Sequence, residues 1–140
     1  MILSDHQAKF TKDKVKFMLY ALSNFTEMKF VETEIKRWQE RHRYLLKKGY
    51  SQTEDTMHFY ALACDIVMYY RNRYLDPKRY DKWPSEAKII VDKLGRKWEA
   101  MDERNRWGGK FKNFFDPNHI ERYVPEAKAM MEKIMSRKKK

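Results

Sequence analysis

The sequence predicts a single α+β domain. Three observations carry this: four stretches with helical apolar spacing, two short runs with the alternation or apolar character of strands, and a glycine- and proline-punctuated segment before the last helix. At 140 residues the chain can bury a core without disulfides and is too short for a second full domain.

The first element is "TKDKVKFMLYALSNF", where Val15, Met18, Leu19 and Leu22 form an apolar helical stripe and Thr11 is placed as a cap. "KFVETEIKR" alternates as a half-buried strand does, with Val31, Thr33 and Ile35 on one side and Glu32, Glu34 and Lys36 on the other. "WQERHRYLLKKG" returns to helical spacing through Trp38, His42, Leu45 and Leu46, and stops before Gly49. "ALACDIVMYY" has the length and aromatic content of a buried central strand. From Pro84 a helix buries Ala87, Ile90, Leu94, Trp98 and Met101, with a kink or break expected at Gly95. "RWGGKFKNFFDPNHIERYV" is expected to return as strand and loop. A final helix starts at Pro125 and carries Ala127, Met130, Met131 and Ile134, before a frayed "SRKKK". The domain is expected to occupy residues 1–124, with 125–140 as its C-terminal helix and basic tail.

Charge narrows the partners. Thirty-one Lys and Arg against 20 Asp and Glu give a net charge of +11 and a pI near 9.7, which favours nucleic acid, acidic lipid or anionic wall polymer. The basic residues are spread along the chain rather than gathered with aromatics, so no specific nucleic-acid motif emerges. The single Cys64 excludes an intramolecular disulfide, and no apolar run approaches the roughly 18 residues of a membrane span. "MILSDHQAKF" has no apolar signal-peptide region, so the expectation is synthesis in the cytoplasm, with release by other means if the target lies outside.

Two segments carry the chemistry. A catalytic zinc site takes about three side-chain ligands and leaves a position for water. His58 and Asp65 could supply two, but seven residues span about 10.5 Å on a helix and about 23 Å on a strand. The segment must therefore bend, and the small Ala61 and Ala63 allow it. "FFDPNHIE" offers His119 with Asp116 three residues earlier, in a turn constrained by Pro117. One of these two can bind metal while the other handles protons.

"GYSQTEDTMHFYALACD" resembles the signature of the zinc-dependent peptidoglycan peptidases of the VanX/VanY and L-alanyl-D-glutamate endopeptidase group, through Gly49, Ser51, Thr53, His58, Ala63 and Asp65. "RWGGKFKNFFDPNHIE" is similar to the same group's downstream motifs through Trp107, Gly108, Gly109, Phe111, Asp116, His119, Ile120 and Glu121. Arg37 stands twelve residues before Gly49, where the group places an active-site arginine, and the resemblance covers roughly residues 10–124. It implies a hedgehog/D,D-peptidase-like fold, a small, mainly antiparallel sheet flanked by helices. It also implies His58, Asp65 and His119 as Zn²⁺ ligands, Asp116 as general base and then acid, and Arg37 as the oxyanion or carboxylate partner. The implied activity is hydrolysis of the peptidoglycan stem peptide by a metal-activated water, as in phage endolysins that cut L-alanyl-D-glutamate. A D,D-carboxypeptidase is the alternative; a non-enzymatic basic module for nucleic acid or cell wall is a further one. The enzyme is expected to be a monomer that meets the anionic envelope through its basic surface.

Departures from the pattern are Thr56 for Ser, Trp38 for Thr, and Ala61 for a Gly, the last requiring a backbone without positive φ. Trp107, Gly108 and Gly109 read as a structural turn with an aromatic wall. His42 reads as a packed histidine, His6 as part of a mobile end, and Cys64 as a side chain pointing away from Asp65. Tyr60, Tyr69 and Tyr70 fit either a groove or packing, and Glu121 either a ligand-orienting role or a strand-edge salt bridge.

Overall fold

The computed structural model describes residues 1–36, 39–49 and 56–138. In chain order, helix α1 spans Leu3–Asn24, strand β1 Met28–Glu34 and α2 Gln39–Lys47. Then follow β2 at Ala63–Tyr70, the short β3 at Arg73–Tyr74 and α3 at Ser85–Met101. The chain closes with β4 at Asn105–Trp107, β5 at His119–Arg122 and α4 at Ala127–Lys138. The sheet order is β1-β2-β5-β4, with β3 on the far end of β2, and every pairing is antiparallel. The fold is α+β, a small antiparallel sheet flanked by helices, as expected.

Strand alternation gives the sheet two unlike faces. On one, Phe30, Ile66, Met68 and Ile120 meet Phe17 of α1 and Val91 and Leu94 of α3. Phe10 and Phe17 both set an edge against Trp98, with ring centroids 5.7 Å away. On the other face stand the half-buried Asp65, Val67 and Tyr69 of β2. This second face carries the site.

Helix α1 corrects the expected stripe. It begins at Leu3, its buried residues are Leu3, His6, Phe10, Asp13, Phe17 and Ala21, and Thr11 lies mid-helix with its hydroxyl donating to Gln7 O. Val15, Leu19 and Leu22 are exposed. The two aromatics win the core because the polar residues sharing their face are paired: Asp13 accepts from Lys9 and Asn105, and His6 from Arg122. His6 is thus a buried anchor rather than part of a mobile end.

Strand β1 is also inverted relative to expectation. Met28 and Phe30 face the helices, Val31 is exposed, and the register slips between Glu32 and Glu34. One extra residue in a strand reverses the side-chain phase after it, which no simple alternation anticipates. Helix α3 runs unbroken through Gly95. That glycine is there for contact: a methyl group on it would overlap the Trp107 ring. Helix α4 packs through Ala127, Met130 and Met131, leaves Ile134 exposed, and continues to Lys138 where fraying was expected from Ser136.

Candidate metal centre

The bend required between His58 and Asp65 is a single 3-10 turn, Met57–Tyr60. Thr56 caps it by accepting the His58 N–H at 3.4 Å. Ala61 ends it in the left-handed region, at φ 55° and ψ 42°, which overturns the expectation that alanine here excludes positive φ. The strain, about 1 kcal/mol, is tolerated because the turn delivers Leu62 and Ala63 to fully buried positions and swings the chain directly into β2. His58 ends 1% exposed above the third residue of β2, Asp65.

Strand pairing supplies the third group. Asp65 lies opposite His119 in the β2–β5 register, so both side chains leave the same face. His58 Nε2 and His119 Nδ1 approach the same carboxylate oxygen, Asp65 Oδ1, at 3.2 and 3.1 Å. One ligand atom from each of the three residues lies within 4.8 Å of the other two.

The opposite ring nitrogens are already committed. His58 Nδ1 is 3.0 Å from Ile35 O, and because a carbonyl only accepts, that nitrogen is committed as a donor and Nε2 is the one left to face a cation. His119 Nε2 is 2.7 Å from Glu121 Oε1, which likewise leaves Nδ1, on the Asp65 side, as the nitrogen that can ligate a cation once its own proton departs. Two imidazoles and a carboxylate whose potential ligand atoms converge on one point form a donor set that fits a cation such as zinc. The electrostatics agree. Burial disfavours charge on His119, but its hydrogen bonds to Asp65 and Glu121 outweigh that and push its pKa up to about 10. Burial would raise Asp65, yet hydrogen bonds from His119 and His58 hold it well below the usual carboxylate range. In both cases the pocket favours positive charge at its centre.

Asp116 stands beside this group without joining it. Its N–H donates to Gly108 O at 3.0 Å and its carbonyl accepts the His119 N–H at 3.1 Å, so the turn that aims His119 also fixes Asp116. Burial pushes the Asp116 carboxyl above its ordinary range, against the pull of His119. A carboxyl so placed, beside the group and outside it, can take up and release a proton.

Of the expected site residues, His58, Asp65, His119 and Asp116 are brought together. Arg37 lies outside the described residues, as do Trp38, Ser51 and Thr53, and nothing is described of the His42 side chain. Glu121 takes both of its readings, bonding His119 through one oxygen and lying 3.9 Å from Arg106 Nε through the other. Cys64 turns into the core, where burial pushes its thiol up to about 12. Tyr60 and Tyr70 are buried, which leaves Tyr69 on the open face. Trp107 is no groove wall: it is 7% exposed and packs on Gly95. Sequence reasoning missed the Ile35 carbonyl, a backbone group without a side-chain signature.

A family profile described as D-alanyl-D-alanine carboxypeptidase, of the M15 peptidases, matches residues 50–122, slightly over half of the chain. Among solved structures, the L-Ala D-Glu endopeptidase ChiX of Serratia marcescens is similar in fold, with a TM-score of 0.56 and 22% identity over 88% of this chain and 87% of that one. No curated protein matches the chain. Among the described residues, no helix is long and apolar enough to cross a membrane. The matched profile and the antiparallel sheet carrying its His-Asp-His group lead to one conclusion: the chain belongs to the M15 D-alanyl-D-alanine carboxypeptidase family, the VanX/VanY-like group of peptidases.

Proposed function

We propose that this peptidase is a zinc enzyme that hydrolyses the stem peptide of bacterial peptidoglycan, as an endolysin of phage type cutting between L-alanine and D-glutamate. The observation that carries the reading is the convergence of His58 Nε2 and His119 Nδ1 on Asp65 Oδ1, with each ring's other nitrogen tied and a non-ligating carboxyl beside them.

His58, Asp65 and His119 would hold the metal. When bound, zinc supplies a Lewis acid that polarises the scissile carbonyl and lowers the pKa of water toward ~7. The remaining work falls to the chain. Asp116 takes a proton from the attacking water and returns it to the leaving amine, a task suited to a carboxyl raised by burial. Glu121 and Ile35 O keep the imidazoles in the ligating tautomers. Arg37, by resemblance, meets the oxyanion or a substrate carboxylate. The basic surface, with its +11 charge, would hold the enzyme near anionic envelope polymers after release.

The matched profile favours a second reading, removal of a terminal D-alanine. Incubation with defined muropeptides, with and without chelator, and mass spectrometry of the products separates the two. The proposal expects chelator-sensitive cleavage after L-alanine. Release of D-alanine alone establishes the carboxypeptidase, and chelator-insensitive cleavage contradicts the metal mechanism.

A further inference from the structure

We infer that Trp107 is a positioning residue for Asp116, acting through its indole N–H; the inference rests on Asp116 being the proton carrier. The ring is buried against Gly95 of α3 and against Gly109, and a methyl group on either glycine would overlap it. From that slot Trp107 Nε1 donates to Pro117 O at 2.9 Å, a fully buried hydrogen bond. The accepting carbonyl belongs to the residue immediately after Asp116.

A second tie comes from the neighbouring residue. Asp116 N–H donates to Gly108 O at 3.0 Å, and Gly108 sits so close beneath the Asp116 carbonyl that a side chain there would collide with it. Asp116 is therefore held on its N-terminal side by Gly108 and on its C-terminal side by Trp107. Between the two ties lies Pro117, whose ring fixes φ. Trp107 also lies opposite Ile120 in the β4–β5 register, next to His119. The β2–β5 pairing thus sets the metal-facing imidazole, while the two ties set the carboxyl that works beside it. The indole faces the helix layer rather than the open face, so its influence on chemistry passes through the Asp116–Pro117 backbone. A proton carrier displaced by about 1 Å can lose ~10²-fold in rate, which is the scale at stake.

The competing explanation is that Trp107 only fills the core. Trp107→Phe keeps an aromatic ring and removes the donor. In the zinc-loaded enzyme we expect kcat to fall roughly 10–100-fold with KM held within about twofold. Bound zinc per chain and the visible spectrum of the cobalt-substituted protein should be unchanged, a result that a general loosening of the core would not give. Introduced into Asp116→Asn, the same substitution should cause no further loss, because no carboxylate remains to be placed. An equal loss in both backgrounds, or full turnover in Trp107→Phe, overturns the inference. Normal turnover in Asp116→Asn alone overturns the reading beneath it instead. Should the phenylalanine variant fail to fold, 3-benzothienylalanine at position 107 preserves the bicyclic shape with sulfur in place of N–H, and the same pair of outcomes decides.

Discussion

The two faces of β5 each bury a polar cluster, and the clusters are built on opposite principles. Toward the helices, Arg122 donates to His6 at 3.2 Å and lies 2.8 Å from Asp102, while Lys9 and Asn105 both serve Asp13. Each carboxylate there meets a donor from the chain itself. Toward the open face, His58 Nε2 and His119 Nδ1 share Asp65 Oδ1, and Ile35 and Glu121 hold the two rings so that these nitrogens are the ones able to ligate. A cluster with its own fixed cations ties α1 to the sheet; a cluster whose imidazole nitrogens and carboxylate converge on one point is a receptor for a cation. Burial of polar groups alone separates neither from the other, whereas the kind of group does: a guanidinium and an ammonium on one side, ligating nitrogens and a carboxylate on the other.

The comparison can be broken at several points. The largest effect is expected at Asp116→Asn, which should lose about 10²–10⁴ of the hydrolysis rate while retaining metal, since it removes proton transfer and no ligand. Comparable turnover in wild type and variant, on the same muropeptide, would mean that another group carries the proton.

Next come paired substitutions on the two faces. Glu121→Gln should weaken metal affinity about 10–100-fold, read in competition with a chelating dye, with little change in folding stability. Arg122→Met should do the reverse, costing about 3 kcal/mol in urea denaturation of the metal-free protein because the Asp102 carboxylate and His6 lose their partner. If both variants lose metal equally, the two clusters are not separate.

A smaller gain is expected at the turn. Ala61→Gly relieves the positive φ of 55° and should stabilise the domain by about 1 kcal/mol, seen as a higher urea midpoint. A loss of stability would mean that this backbone conformation is not maintained in solution.

The smallest effect is a pH dependence from the helix-side cluster. Burial, then the charges of Arg122 and Arg104, hold the His6 pKa below 6.5. The unfolded chain therefore binds a proton that the folded chain refuses, so this contribution is complete above pH 6.5 and is lost as pH falls through the folded value. In chelator, urea midpoints of His6→Gln should fall less steeply than wild type between about pH 7 and 5. Parallel curves would show His6 to be freely protonated in the folded state.

The same contrast explains what the sequence disclosed. Strand β2, the α3 face and the four residues His58, Asp65, Asp116 and His119 were legible because apolar runs and side-chain motifs are written locally. The α1 face was not. Its core stripe is interrupted by His6 and Asp13, whose burial depends on partners 116 and 92 residues away. The phase of β1 was lost to one bulge residue. The Ile35 carbonyl and the Trp107–Pro117 bond use backbone acceptors, which every residue possesses and no motif records.

Calorimetric titration of zinc into chelator-stripped protein, in buffers of different ionisation enthalpy, tests the central claim most directly. With the metal-free His119 raised to about 10, wild type should bind one zinc per chain near pH 7.5 and expel about one proton as the ion replaces it. His119→Ala should show no stoichiometric binding. Full zinc occupancy in His119→Ala would contradict the account, because a site of three ligands cannot lose one and remain filled.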